Sequence, residues 1–248
     1  MRLLIIIPAF NEEQALGGLL AEIQALSPSE LGVELETVVV DDGSIDHTAH
    51  VARRGGARVL VLCRNLGIGG AVQSGLRLAH RERFDFAAQV DGDGQHPPAE
   101  LVRLLALAQR PDAPDLIVGT RYRAGNDGFQ STVTRRLGSW WLRKILRVVG
   151  VRVSDPTSGF RLYGARALRL FGDTYPYDFP EPEALAVAQA AGLRIDETSV
   201  TMRERQGGRS SIVGFNTVYY MFKVTLAVML AYFRARRMPK LEVPDAAS

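Results

Sequence analysis

The chain has 248 residues, 46% hydrophobic and 23% charged, with a formal net charge of +3. This is ordinary globular composition with enough apolar mass for a large core, and so mild a basic excess matters only where it clusters. The single cysteine, Cys63, rules out an intrachain disulfide framework or a cysteine zinc site.

The N-terminus, Met1-Arg2 and a five-residue apolar run up to Pro8, is too short for a signal peptide, so a cytoplasmic location is expected. Leu3 to Ile7 is a continuous apolar run, the mark of a strand covered on both faces. Asn11 is the expected N-cap of a helix reaching Leu26. Thr37 to Val40 is a second buried strand, running into Asp41-Asp42-Gly43-Ser44-Ile45-Asp46-His47-Thr48 and a helix from Thr48 to Arg53. Arg58 to Leu62 is a third strand, and Cys63, just beyond it in the same apolar stretch, is expected to be a small buried residue. Asn65-Leu66-Gly67-Ile68-Gly69-Gly70 then opens a helix to His80.

Phe86 to Val90 reads as the fourth strand and leads into Asp91-Gly92-Asp93-Gly94-Gln95-His96-Pro97-Pro98. In extended backbone, residues i and i+2 point the same way, so Asp91 and Asp93 are expected to face one divalent cation. Gly92 leaves room for a ligand against the backbone. Hard oxygen donors suit Mg2+ or Mn2+, held by one or two carboxylates plus substrate phosphates. The alternative is a plain polar turn after a strand. A helix over Ala99 to Gln109 and a fifth strand over Leu116 to Val118 complete a pattern of alternating strands and helices. That pattern predicts a mostly parallel sheet with ligands beyond the carboxyl ends of its strands.

From Tyr122 the pattern changes. A helix is predicted over Thr134 to Val149. A turn over Asp155 to Tyr163 enters a short strand, a helix runs from Pro180 to Ala191, and a strand follows over Ile195 to Met202. A basic loop spans Arg203 to Ser211. Ile212 to Phe233 is mostly apolar, but Asn216 and Lys223 interrupt it. Arg203, Arg205 and Arg209 flank it on one side, and Arg234, Arg236, Arg237 and Lys240 on the other. A helix lying in a membrane interface fits these flanks better than a span; the alternative is a core-packed or dimer-forming helix. Nucleic acid is a poor partner, since the arginines are scattered over loops with no recognition helix or aromatic platform.

Together the segments resemble family 2 glycosyltransferases, most of all the dolichyl-phosphate mannosyltransferase-like branch that acts on polyprenyl phosphates. The matching pieces are Pro8-Ala9-Phe10-Asn11-Glu12-Glu13, Asp41-Asp42-Gly43-Ser44, Asn65-x-Gly67-x-Gly69, Asp91 to Pro97, Gly119-Thr120-Arg121-Tyr122, Ser158-Gly159-Phe160-Arg161 and Arg205-x-x-Gly208-x-Ser210, in the family's order. The resemblance implies an α/β GT-A fold with a mostly parallel central sheet and helices on both faces. The catalytic domain would occupy residues 1–211, and residues 212–248 would form a membrane-interface helix and basic tail, peripheral on the cytoplasmic face.

The resemblance also assigns roles. Asp42 would read the nucleoside, with Pro8, Phe10, Glu12 and Val40 as the adjoining wall. Asp91, Gly92 and Asp93 would hold the metal and diphosphate, with Gln95 as an added oxygen donor. Arg121 and Arg205 would bind phosphate, and Arg135 and Arg209 are further candidates, each with a solvated surface role as the alternative. The family loop often ends in Ser-Lys, whereas here Ser210 precedes Ser211, so one phosphate contact is missing. The implied reaction is inverting transfer of a hexose from a nucleotide-diphosphate sugar to a polyprenyl phosphate, which needs no general base. A hydroxyl acceptor would need one, from Asp155, Glu181 or Glu183. A nucleotide-sugar-binding protein without turnover is a third reading. Homo-oligomerisation is left open.

Overall fold

A computed structural model describes residues 1–121, 133–203 and 217–237, except the side chains of 30, 133–137 and 217–220. In chain order the elements are β1 (Arg2–Ala9), α1 (Glu13–Gln24), α2 (Pro28–Leu31), β2 (Glu34–Asp41), α3 (Thr48–Arg54), β3 (Arg58–Val61), α4 (Gly67–Arg81), β4 (Phe86–Gln89), α5 (Leu101–Ala108) and β5 (Leu116–Thr120). They continue with α6 (Val133–Val148), β6 (Arg161–Gly164), α7 (Ala165–Asp173), α8 (Pro180–Ala190), β7 (Ile195–Ser199) and α9 (Thr217–Arg236).

The strands form one sheet in the order β3-β2-β1-β4-β6-β5-β7. All pairings are parallel except those of β6, which runs against both β4 and β5. The register Gln89↔Arg161 sets the start of β6 beside the carboxyl end of β4. The reversed strand therefore delivers its preceding loop, residues 155–160, to the end of the sheet where the parallel strands finish.

β1 explains why its apolar run is unbroken. Leu3, Ile5 and Ile7 enter the core on one face, with α1 and α5 residues such as Leu16, Leu20 and Leu104. Leu4 and Ile6 enter the core on the other face, with Leu76 of α4 and Phe171 of α7. All five are fully buried, each contributing roughly 1.5–3 kcal/mol of transfer free energy. Helix α4 lies so close to β1 that a Cβ at Gly75 would collide with Ile6.

Several expectations need correction. Asn11 is not an N-cap: it sits at a left-handed φ of 56° and Glu12 precedes the helix instead. Cys63 is exposed, because it follows β3 at the outer edge of the sheet, where Val61 is also exposed. β4 ends at Gln89, and residues 92–93 form a turn, so strand alternation does not set the directions of Asp91 and Asp93. Helix α7 was not foreseen.

Helix α9 packs on α8 and α6. It is apolar on two faces. Val224, Val228 and Ala235 are buried against the domain, while Phe222 (66%), Leu226 (48%), Leu230 (60%) and Phe233 (53%) are exposed at helical spacing. No helix among the described residues is long and apolar enough to cross a membrane.

Candidate active site

The carboxyl ends of β1, β2 and β4 and the reversed start of β6 lie side by side at one edge of the sheet. The loop after β1 is tied to the loop after β2. Asn11 N–H donates to Ser44 Oγ at 3.0 Å, Ile45 N–H to Asn11 Oδ1 at 3.0 Å, and Glu12 N–H to Thr48 Oγ1 at 2.9 Å. Asp42 is buried and accepts the Leu66 N–H at 2.7 Å, so the opening of α4 leans on it. Burial raises its pKa, opposed by the backbone N–H groups of Leu66 and Gly67 and reinforced by Asp41. An ionised carboxylate here is costly unless a ligand's donors meet it. Phe10 is half exposed beside this group. Pro8 is buried and offers its carbonyl, and Val40 lies wholly in the core, so its side chain supports the wall from behind.

The Asp91–Asp93 turn is held by contacts from β1, from β4 and from its own loop. A Cβ at Gly92 would lie 3.1 Å from the Pro8 carbonyl, so glycine lets the turn sit against β1. Asp91 Oδ1 accepts from Gln89 Nε2 at 3.2 Å, and the Asp91 N–H donates to His96 Nδ1 at 3.2 Å. His96 is buried, with its ring stacked on Phe160 at 5.1 Å. Asp93 is buried and accepts the Gln95 N–H at 3.1 Å. The Gln95 carbonyl accepts the Arg203 N–H, and its side chain is half-buried.

Residues 155–160 join this turn to Arg121. At one end Arg121 makes a two-pronged ion pair with Asp155, Nε to Oδ2 at 2.7 Å and Nη2 to Oδ1 at 3.0 Å, and reaches Thr157 Oγ1 at 3.3 Å. At the other end a Cβ at Gly159 would fall 2.7 Å from Asp91 Oδ2, so only glycine leaves that carboxylate its space. Buried Arg161 holds the loop from behind, donating to the carbonyls of Ser158 at 2.8 Å and Glu181 at 2.8 Å.

Asp155 therefore has both oxygens committed to Arg121 and is fully buried. Glu183 caps α8, accepting the Phe179 N–H at 2.8 Å, and burial raises its pKa. Burial likewise raises Glu181, with Arg161 opposing and Asp91 reinforcing, which puts the Glu181 carboxyl within the field of the Asp91–Asp93 turn. Arg205 and Arg209 lie outside the described residues, and Arg135 outside the described side chains. Gln89, Thr157 and His96 carry contacts that the residue pattern did not assign; a glutamine inside an otherwise apolar strand was the available signal.

Among the described residues no three or more His, Cys, Asp or Glu side chains cluster as a closed metal site. The donor set still suits Mg2+ or Mn2+, which take one or two carboxylates and complete their shell with water and substrate phosphate.

This sheet, with an acidic turn at its carboxyl edge and an arginine alongside, defines a GT-A glycosyltransferase. The model of the family described as "Glycosyl transferase family 2" matches residues 4–171, and the chain belongs to that family. Undecaprenyl-phosphate mannosyltransferase of Micrococcus luteus is 32% identical over 86% of this chain and 88% of its own. Polyprenol monophosphomannose synthase of Mycolicibacterium smegmatis is 30% identical over 90% of this chain and 85% of its own. Among solved structures, glucosyl-3-phosphoglycerate synthase from Mycobacterium tuberculosis, in complex with Mn2+, UDP-glucose and phosphoglyceric acid, superposes with a TM-score of 0.66 at 19% identity. That match covers 98% of this chain and 82% of the other. The same enzyme has been solved with Mg2+ and UDP.

Proposed function

We propose that this glycosyltransferase moves a hexose from a nucleoside-diphosphate sugar to the phosphate of a polyprenyl lipid, in a metal-dependent, inverting displacement. The observation that carries the reading is the single loop, residues 155–160, that touches both the Asp91 carboxylate and the Arg121 ion pair. It links the acidic turn that would hold the metal to a fixed guanidinium, the pair of features a departing diphosphate needs. The two relatives named above are polyprenol-phosphate mannosyl enzymes by name, which supports the acceptor class.

Asp91 and Asp93 would hold the cation, with Gln95 beside them. When bound, it offsets charge building on the leaving diphosphate. Asp42 receives the nucleoside between the loops after β1 and β2. Asp155 orients Arg121 through both its prongs and keeps it aimed at phosphate. A phosphate acceptor is already anionic near neutral pH, so no side chain has to remove a proton. That agrees with Asp155 and Glu183 being occupied by structural hydrogen bonds.

The exposed α9 stripe of Phe222, Leu226, Leu230 and Phe233, with Lys223, Arg234 and Arg236 on the same helix, would rest on the membrane that carries the acceptor, peripherally and on its cytoplasmic face.

The test is a panel of radiolabelled nucleotide sugars with Mn2+ and undecaprenyl phosphate, followed by extraction into organic solvent. Label in the lipid fraction with inverted anomeric configuration is expected. Transfer only to water-soluble hydroxyl acceptors would overturn the lipid reading.

A further inference from the structure

Behind the acidic turn lies a line of buried polar side chains that the transfer reaction does not require as substrate contacts. Gln89, Tyr163 and Tyr175 are 1%, 0% and 4% exposed. Tyr175 OH lies 3.3 Å from Tyr163 OH, Tyr163 OH donates to Gln89 Oε1 at 3.2 Å, and Gln89 Nε2 donates to Asp91 Oδ1 at 3.2 Å. The chain crosses from the segment after α7, through β6, to the end of β4. Phe171 packs edge-on against both tyrosine rings, 5.9 Å from Tyr163 and 5.3 Å from Tyr175.

The direction of this chain is fixed by its chemistry. A carboxylate accepts only, so Gln89 must present its NH2 to Asp91. Its carbonyl oxygen then faces Tyr163, which must donate. With its one proton so used, the Tyr163 oxygen can only accept from Tyr175. Turning the amide over would set a carbonyl against a carboxylate and break two bonds at once. Burial raises the pKa of both hydroxyls, so the donors keep their protons. Buried groups linked this way are stiff, because each alternative leaves an unpaired polar atom in a dry interior.

The outcome at Asp91 is asymmetric. Oδ1 is bonded to Gln89, whereas among the described residues no hydrogen bond reaches Oδ2. His96 Nδ1 is 3.6 Å from Oδ2, but that nitrogen already accepts the Asp91 N–H. A Cβ at Gly159 would fall 2.7 Å from Oδ2 and 3.0 Å from Oδ1, so glycine lets the loop approach the carboxylate without a side chain against either oxygen.

We propose that the Tyr175–Tyr163–Gln89 chain is a positioning device that locks the rotation of the Asp91 carboxylate, reserving Oδ2 for the divalent cation. The inference rests on the metal role assigned to Asp91 above. Gln89 and Tyr163 are positioning residues: they act on the metal through Asp91. The chain also ties the metal-binding carboxylate to the segment ahead of α8, where Pro176 and Tyr177 abut Gly69 and Tyr177 OH donates to Gln73 Oε1 at 2.6 Å.

The test reads Mn2+ binding directly, by electron paramagnetic resonance of the free ion titrated against the full chain, alongside thermal unfolding without metal. Gln89→Met keeps length and removes the amide; Tyr163→Phe removes one hydroxyl. Loss of an outer partner of a metal ligand weakens metal binding by about 10-fold or more, the drop expected for Gln89→Met. Tyr163→Phe should weaken it less, and the double variant should be no worse than Gln89→Met alone, because Tyr163 acts through Gln89. A purely structural role would lower the unfolding temperature and leave the Mn2+ affinity of the folded protein unchanged. Wild-type affinity in Gln89→Met, or additive losses in the double variant, overturns the proposal. A wild-type protein that takes no Mn2+ removes both this proposal and the metal reading. Mn2+ binding with no sugar transfer overturns the proposed reaction and leaves the positioning chain standing.

Discussion

Replacing Asp155 by asparagine separates two roles for that residue. Its carboxylate is fully buried and the Arg121 side chain is 13% exposed, and both prongs of the guanidinium end on it. Removing the charge takes from a nearly buried cation the carboxylate that holds two of its nitrogens. Breaking one partner of a buried pair costs roughly 3–5 kcal/mol, and the solvent that still reaches Arg121 places this case near about 3 kcal/mol. For a chain of this size that is a fall in unfolding temperature of about 6–12 °C. Differential scanning calorimetry at neutral pH reads it, with steady-state transfer measured at a temperature where the variant remains folded. Turnover should fall because Arg121 loses its aim. If Asp155 were instead a general base, its loss would cost roughly 100-fold or more in rate with little change in stability. An unfolding temperature within about 2 °C of wild type, well short of that expected fall, together with such a rate loss refutes the positioning argument.

Three further outcomes follow from the same geometry. Gly159→Ala brings a methyl group to 2.7 Å from Asp91 Oδ2 and 3.0 Å from Gln89 Nε2, so Mn2+ titration should show weakened binding, with overpacking costing about 1–3 kcal/mol of stability. For Asp42, burial raises the folded pKa above the unfolded one, so its ionisation destabilises the fold. The difference in unfolding free energy between Asp42→Asn and wild type should grow as pH rises from the usual carboxylate range through the raised value. At neutral pH the variant should be the more stable of the two and weaker in nucleotide binding. A stability gap that does not change with pH would count against that burial cost. Leu226→Asp with Leu230→Asp should abolish co-sedimentation with phosphatidylglycerol vesicles and leave the unfolding temperature near wild type, since both side chains face away from the core.

Much of this architecture is legible in the residues. Leu3–Ile7 and Thr37–Val40 are apolar without alternation because both faces of their strands are covered, and period alone exposes that. The acidic turn, Asp42 and the Ser158-Gly159-Phe160-Arg161 segment are legible as motifs. Pairings across long sequence separations are not. Nothing local in Asp155 says that Arg121, 34 residues earlier, consumes both its oxygens. Tyr163 reads as one more large strand residue, and only the antiparallel register opposite β4 reveals that its hydroxyl meets Gln89. Cys63 misled because an apolar neighbourhood marks burial only where a further strand lies outside it, and β3 is the outermost.

The excursion between β5 and β6 leaves and returns through a single clasp. Thr120 Oγ1 lies 2.7 Å from Ser154 Oγ, Glu197 Oε2 accepts both the N–H and hydroxyl of Ser154, and Arg121 is locked to Asp155 at the next position on each side. Between these two doorposts, helix α6 also sends Leu142 and Leu146, and Val149 just after it, into the core of the domain, so the excursion is held at its base and along one helix. The excursion is thus built into the domain, and replacing it would cost buried contacts as well as loop length.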